Sequence, residues 1–126
     1  MALNGIFYGS TNNQFIKPKI EWSAVQSQEG NYSDVTATLY YSRTNWGYTT
    51  ESNWYGSITI DGEVLSGSRY VSITYDSNTE AISNTVRVHH DSYGQKKLTI
   101  SATGYAYGTS LESTSISQEI ELDTIA

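Results

Sequence analysis

Apolar and polar residues alternate with a period of two along most of this chain, and a 3.6-residue period is sustained nowhere, a pattern that predicts strands rather than helices. Ile16, Pro18, Ile20, Trp22 and Ala24 share one face of the first such run, with Lys17, Lys19, Glu21 and Ser23 on the other. Pro18 cannot donate to a ladder, so this strand is expected to begin at an edge. Gln28-Glu29-Gly30-Asn31 reads as a turn. The next strand sets Val35, Ala37, Leu39 and Tyr41 inward against Asp34, Thr36, Thr38 and Tyr40.

Residues 44–54, TNWGYTTESNW, break the alternation and read as a long polar-aromatic loop. A strand from Gly56 follows, closed by Asp61-Gly62, a strong hairpin signal because glycine accepts positive φ. Val71, Ile73 and Tyr75 share one face of the return strand. Asp76 to Glu80 turns the chain again, and Ile82, Val86 and Val88 alternate towards His90. Asp91-Ser92-Tyr93-Gly94 is a further turn into Leu98, Ile100 and Ala102, and Ile116, Ile120 and Leu122 close the chain.

Seven or eight strands joined by short turns predict an all-β fold, an antiparallel two-sheet sandwich of immunoglobulin-like or jelly-roll-like type. A closed barrel is the alternative, since either closure or a second sheet is needed to bury so many single apolar faces. No internal repeat or boundary divides residues 1–126, which are expected to form one module excised from a longer protein. Its expected core contains Trp22, Leu39, Val71, Ile73, Val86, Ile100 and Ile120.

Composition narrows the function. The chain lacks cysteine, which removes disulfides, thiolate metal sites and cysteine nucleophiles. Its net charge of −6 argues against nucleic acid, whose affinity comes largely from cations set against phosphates, and against anionic membranes. No apolar run approaches the ~20 residues that span a bilayer. Tyrosine is abundant, 11 residues against 2 phenylalanines, and suits surfaces where one end of a side chain stays wet.

Candidate chemistry is sparse. His89-His90-Asp91 looks suggestive, but consecutive strand residues point to opposite faces, so the two imidazoles are expected to diverge. No phosphate loop, G-x-S-x-G elbow or H-E-x-x-H is present, and the chain reads as a non-enzyme. No cofactor is expected. Asp61, Asp76 and Asp91 sit in turns, where such residues can hold a structural calcium through oxygen ligands but also stabilise turns on their own.

The richest constellation is Trp46, Tyr48, Trp54 and Tyr55, with Asn45, Thr49, Glu51 and Asn53 among them. A flat ring matches the C–H face of a sugar, and nearby amides and carboxylates can hydrogen-bond its hydroxyls, the mixture usual in ligand sites. The competing reading is packing, with Trp54 or Tyr55 capping the core and Trp46 covering one end of the sandwich. Tyr40, Tyr105 and Tyr107 are a second candidate platform.

Four stretches carry a family resemblance: IEWSAVQSQEGNYSDVTATLYYSR at 20–43, GSITIDG at 56–62, VRVHHDSYGQKKLTISATG at 86–104, and the ending LESTSISQEIELDTIA. Within them stand Lys19-Ile20-Glu21-Trp22-Ser23, Asn31-Tyr32-Ser33, His90 to Lys96 and Asp123-Thr124-Ile125. The chain resembles the domain of minor structural (tail) proteins of siphophages that infect Gram-positive bacteria. The resemblance implies an immunoglobulin-like sandwich within a tail-tip protein, located in the virion or outside the cell. The aromatic 44–54 loop departs from that family and points towards a carbohydrate-binding-module-like variant contacting polysaccharide or a cell-surface glycan. The alternative is a structural spacer or oligomerisation domain, and the parent protein is compatible with a homo-oligomer.

Overall fold

A computed structural model describes residues 2–126, and among them there is no helix. Nine strands run in chain order: β1 (Asn4–Tyr8), β2 (Ser10–Thr11), β3 (Ile16–Ser27), β4 (Tyr32–Arg43), β5 (Thr50–Ile60), β6 (Glu63–Ile73), β7 (Thr79–His89), β8 (Lys97–Ala106) and β9 (Thr114–Glu121). They form two antiparallel sheets, a four-stranded one ordered β1-β3-β4-β7 and a five-stranded one ordered β2-β9-β8-β5-β6. The two sheets face each other over a single core, which is the predicted sandwich.

The strand count is nine rather than seven or eight because the N-terminal segment contributes β1 and β2. Phe7 is buried in β1 while Ile6 and Tyr8 are exposed, so this short strand shows little of the alternation that marks a half-buried one. The chain changes sheets at Gly9. A Cβ there would lie 2.4 Å from the Ser115 carbonyl oxygen and 2.5 Å from Ile116 Cβ, so only glycine fits the crossing.

β3 lies between β1 and β4, but its first residues, Ile16 to Pro18, have β4 alone as a ladder partner, so the strand begins at an edge as Pro18 leads one to expect. Strand residues direct their N–H and C=O to the same side, and the Pro18 carbonyl accepts from Gly9 N–H at 3.3 Å. The missing donor therefore faces the point where β1 has ended and the chain is leaving the sheet. Proline costs no ladder bond there.

Val35, Ala37, Leu39 and Tyr41 are all fully buried from β4, as their alternation predicts. Trp22, Leu39, Val71, Ile73, Ile100 and Ile120 belong to the core, and Val86 is half-buried against it. Tyr75 departs from the expected face: β6 has ended at Ile73, and Tyr75 is exposed in the following turn. A register shift between Leu39 and Tyr40 inserts an extra β7 residue, so that Ala81 and Ile82 are buried in succession.

Turns fall where the sequence places them. Asn31, Asp61 and Asp76 all adopt left-handed φ, near 54°, 52° and 54°. Asp61 and Gly62 (φ 83°) form a two-residue link between Ile60 and Glu63, the geometry of a type I′ hairpin. At the C-terminus, Ile125 N–H donates to the Gly94 carbonyl at 2.9 Å, and Ala2 bridges in parallel to Leu122.

Candidate functional site

The 44–54 segment is only partly a loop. β5 begins at Thr50, so Glu51, Asn53, Trp54 and Tyr55 are strand residues, and the loop is confined to 44–49. Strand alternation then divides the aromatic cluster. Trp54 shares the inward face with Ile58 and Ile60 and is fully buried. Its ring lies over two facing glycines, where a Cβ on Gly56 or Gly104 would come within 2.5 Å or 2.4 Å of Trp54 Cζ2. Trp54 is therefore a core residue, and its indole has no face to offer a ligand. The packing reading holds for this residue.

Tyr55 turns the other way. It stands on the outer face of the five-stranded sheet, directly opposite Tyr105, with the two rings stacked at 5.6 Å and 28° between planes. They are 40% and 44% exposed. Asn53 and Glu51 continue the same face of β5, and across the β5–β6 ladder Asn53 is paired with Tyr70, which is 62% exposed. On the other side Tyr107 N–H donates to the Asn53 carbonyl at 3.0 Å, extending the β5–β8 register one step, and the Tyr107 ring is 73% exposed. Ser52 Oγ secures this end by donating to the Tyr107 carbonyl.

The sheet thus presents two adjoining rows, Ser68-Tyr55-Tyr105 and Tyr70-Asn53-Tyr107. A shallow depression of about 300 Å³ adjoins the stacked pair, bounded by Thr103, Gly104, Ser113 and Glu112. Hydroxyls dominate the surroundings: Ser57 and Thr103 meet at 3.2 Å next to the rings, and Ser72 Oγ donates to Glu51 Oε1 at 3.2 Å. The charged groups at the patch are carboxylates, Glu51 and Glu112.

Trp46 and Tyr48 lie in the 44–49 loop, just before the row of Glu51, Asn53 and Tyr55. Trp46 is 80% exposed, and Tyr48 is exposed beneath the Arg43 guanidinium, 5.9 Å from its ring. Asn45 is half-buried and Thr49 exposed in this loop. Of the second platform, Tyr105 and Tyr107 join Tyr55, but Tyr40 does not: it belongs to the four-stranded sheet, paired with Lys19, whose ammonium sits 5.6 Å from its ring. Tyr70, which no alternation marks in the sequence, takes its place. The signal for it was its position on the return arm of the Asp61-Gly62 hairpin, opposite Asn53.

The histidines diverge as expected. His90 is buried, with Nε2 2.7 Å from Ser33 Oγ and Nδ1 2.8 Å from the Gly94 carbonyl, an arrangement satisfied by an Nδ1–H tautomer. His89 points outward and meets the Tyr32 ring edge-on at 6.0 Å. Asp61 and Asp91 have side-chain partners within the fold. Asp91 Oδ1 accepts from the Tyr93 and Gln95 N–H groups at 2.9 and 2.8 Å, and Asp61 pairs with Lys96 at 3.1 Å. His90 and Asp91 therefore fasten the end of β7 to the following turn.

Comparison with protein-family models and with the curated proteins yields no match to this chain.

Proposed function

We propose that this chain is a non-catalytic glycan-binding module of a phage tail or other surface protein, and that it binds through the tyrosine-bearing outer face of its five-stranded sheet. The observation that carries this reading is the stacked Tyr55–Tyr105 pair flanked by Tyr70, Tyr107 and Asn53. Phenol rings combine an apolar face with a hydroxyl, which suits the alternating C–H and O–H surfaces of a sugar. Rings mounted on paired strands are already ordered, so binding costs little further side-chain entropy. A flat, open sheet face accommodates an extended chain better than a single small molecule.

The ligand class follows from the electrostatics. Carboxylates border the tyrosines and the whole chain carries −6, so a neutral polysaccharide fits and a phosphorylated or uronic-acid polymer is repelled. The resemblance to siphophage tail proteins supports a virion or extracellular setting, where cell-wall and environmental polysaccharides are at hand. Trp46 and Tyr48 extend the same end of the sheet through the loop.

Affinity electrophoresis against a panel of neutral and acidic polysaccharides, followed by a glycan array, tests the reading. Retardation by a neutral polymer that Tyr105→Ala and Tyr70→Ala each weaken is the expected result. Retardation unchanged in both variants, or none by any glycan, would overturn it in favour of a spacer domain.

A further inference from the structure

β6 is an edge strand of eleven residues, paired with β5 alone, and every position from Glu63 to Tyr70 is exposed. The type I′ hairpin fixes which of its backbone groups are free. Ile60 and Glu63 close the turn as a hydrogen-bonded pair, so Glu63, Leu65, Gly67 and Arg69 direct N–H and C=O towards β5. Val64, Ser66 and Ser68 direct theirs into open space. Long edges of this kind template further pairing unless something blocks them.

We infer that β6 pairs antiparallel with β6 of a second copy of this chain, about a two-fold axis at Ser66, to form a dimer with one continuous ten-stranded sheet. The sequence of the edge is complementary to itself in that register. With Ser66 opposite Ser66, Val64 meets Ser68, and the outward backbone groups of both pairs fall in hydrogen-bonding positions. Glu63 then stands opposite Arg69 and Leu65 opposite Gly67, each at the closer, non-hydrogen-bonded spacing where side chains interact most.

Both close pairs are matched. Glu63 and Arg69 are the charged residues of the 63–70 edge, and the register brings opposite charges together twice. Arg69 already binds Glu80 at 3.0 Å across the two sheets, and its guanidinium has further donors for a second carboxylate. An inward-pointing charge on an edge normally discourages pairing, but this register neutralises it. Gly67 leaves space in a groove of about 410 Å³ between β6 and β7, lined by Leu65, Arg69, Glu80 and Ile82. The partner's Leu65 enters over Gly67, beside Ile82, by the same symmetry at both ends.

Antiparallel pairing of this type keeps equivalent faces on one side of the sheet. The dimer therefore sets two copies of the Tyr70-Tyr55-Tyr105 surface side by side, facing one way. Under the glycan-binding reading this surface is bivalent and gains avidity on long polymers; the pairing itself stands independently of that reading.

Sedimentation of the chain across a dilution series up to about 1 mM tests the dimer, with twice the 14.0 kDa chain mass expected at the upper end. Gly67→Val fills the recess needed by the partner's Leu65, and a Cβ there makes only ordinary 3.4 Å contact with Ile82 Cδ1, so the monomer fold is retained. This variant should sediment as monomer, and Glu63→Arg should weaken association at least tenfold. The chain has no cysteine, so Ser66→Cys treated with a short bismaleimide should cross-link to dimer while Ser117→Cys on β9 does not. A wild-type monomer at every concentration, equal cross-linking at the two positions, or an undiminished Gly67→Val dimer would each overturn the inference. A wild-type dimer that no glycan retards would instead count against the proposed function alone.

Discussion

Trp54 and Tyr41 join the two sheets through a buried hydrogen bond, the indole N–H donating to the phenol oxygen at 3.0 Å while the rings meet edge-on at 6.4 Å. The same hydroxyl lies 2.6 Å from Thr114 Oγ1, so one oxygen on β4 connects to both β5 and β9. A second buried contact, from the Arg43 guanidinium to Thr50 Oγ1, also joins β4 to β5, and the two together fix how the sheets sit on each other.

Tyr41→Phe keeps the ring and removes that oxygen, leaving a buried indole N–H without its acceptor. The expected cost is about 1–3 kcal/mol in denaturant unfolding. Burial raises the Tyr41 pKa above its ordinary value near 10, against the opposing effect of its hydrogen bonds to Thr114 and Trp54. The folded state thus holds this proton more tightly than the unfolded chain does. Its contribution to stability is constant below about pH 10 and declines as the pH rises towards the raised value. Tyr41→Phe should remove that part of the alkaline decline, measured by denaturation between pH 8 and 11.

The two loop-region tryptophans should separate cleanly. Trp54→Ala empties a fully buried site and should cost about 3–5 kcal/mol. Trp46→Ala should change stability by no more than about 0.5 kcal/mol, with a smaller loss of polysaccharide retention than Tyr105→Ala. Equal destabilisation by the two changes in thermal and denaturant melts would contradict the division of the cluster between core and surface.

Retention by the tyrosine face should fall about tenfold for Tyr105→Ala, a loss of about 1.4 kcal/mol. The fold should lose little more than the ring–ring contact, about 0.5–1.5 kcal/mol. Because the proposed ligand is uncharged, retention should be nearly flat between 50 and 500 mM salt, about the range over which charge pairing is screened. A steep decline with salt would point to an anionic polymer held elsewhere.

Gly94 has φ near 77°, and a Cβ there would lie 2.0 Å from the Ile125 carbonyl oxygen. Gly94→Ala should therefore cost more than about 1 kcal/mol and release the C-terminal segment from the turn. Limited proteolysis should then cleave after Leu122 in the variant before it does so in the parent chain.

Much of the fold is legible in the sequence because a strand buried on one face writes its period into the residues. Val35, Ala37, Leu39 and Tyr41 are the clearest case. The place of Trp54 is hidden in the sequence for a physical reason: the inward positions before it, Thr50 and Ser52, are polar, so the start of β5 does not look like a strand with an apolar side. Tyr70 is hidden for the opposite reason, since an edge exposed on both faces carries no burial pattern. Tyr55 and Tyr105 are far apart in sequence, and only the β5–β8 register brings them into contact. The outward tyrosines were visible one by one, but their grouping depends on strand order, which period-two patterning does not encode.

The crossing at Gly9 has a consequence for how far assembly can go. By passing from one sheet to the other, the chain finishes that side of the sandwich with ladders of only five and two residues, and the two long open edges, β6 and β7, lie together on the opposite side. Two molecules joined through β6 turn that side of each, β7 included, towards the partner and leave the short ladders facing outward. Head-to-tail addition, which would build a fibre, then finds neither eleven-residue edge facing outward on which to continue. Growth that can start from one side alone closes at two, and a tyrosine-rich, nearly proline-free β protein is thereby kept from polymerising through its own sheets.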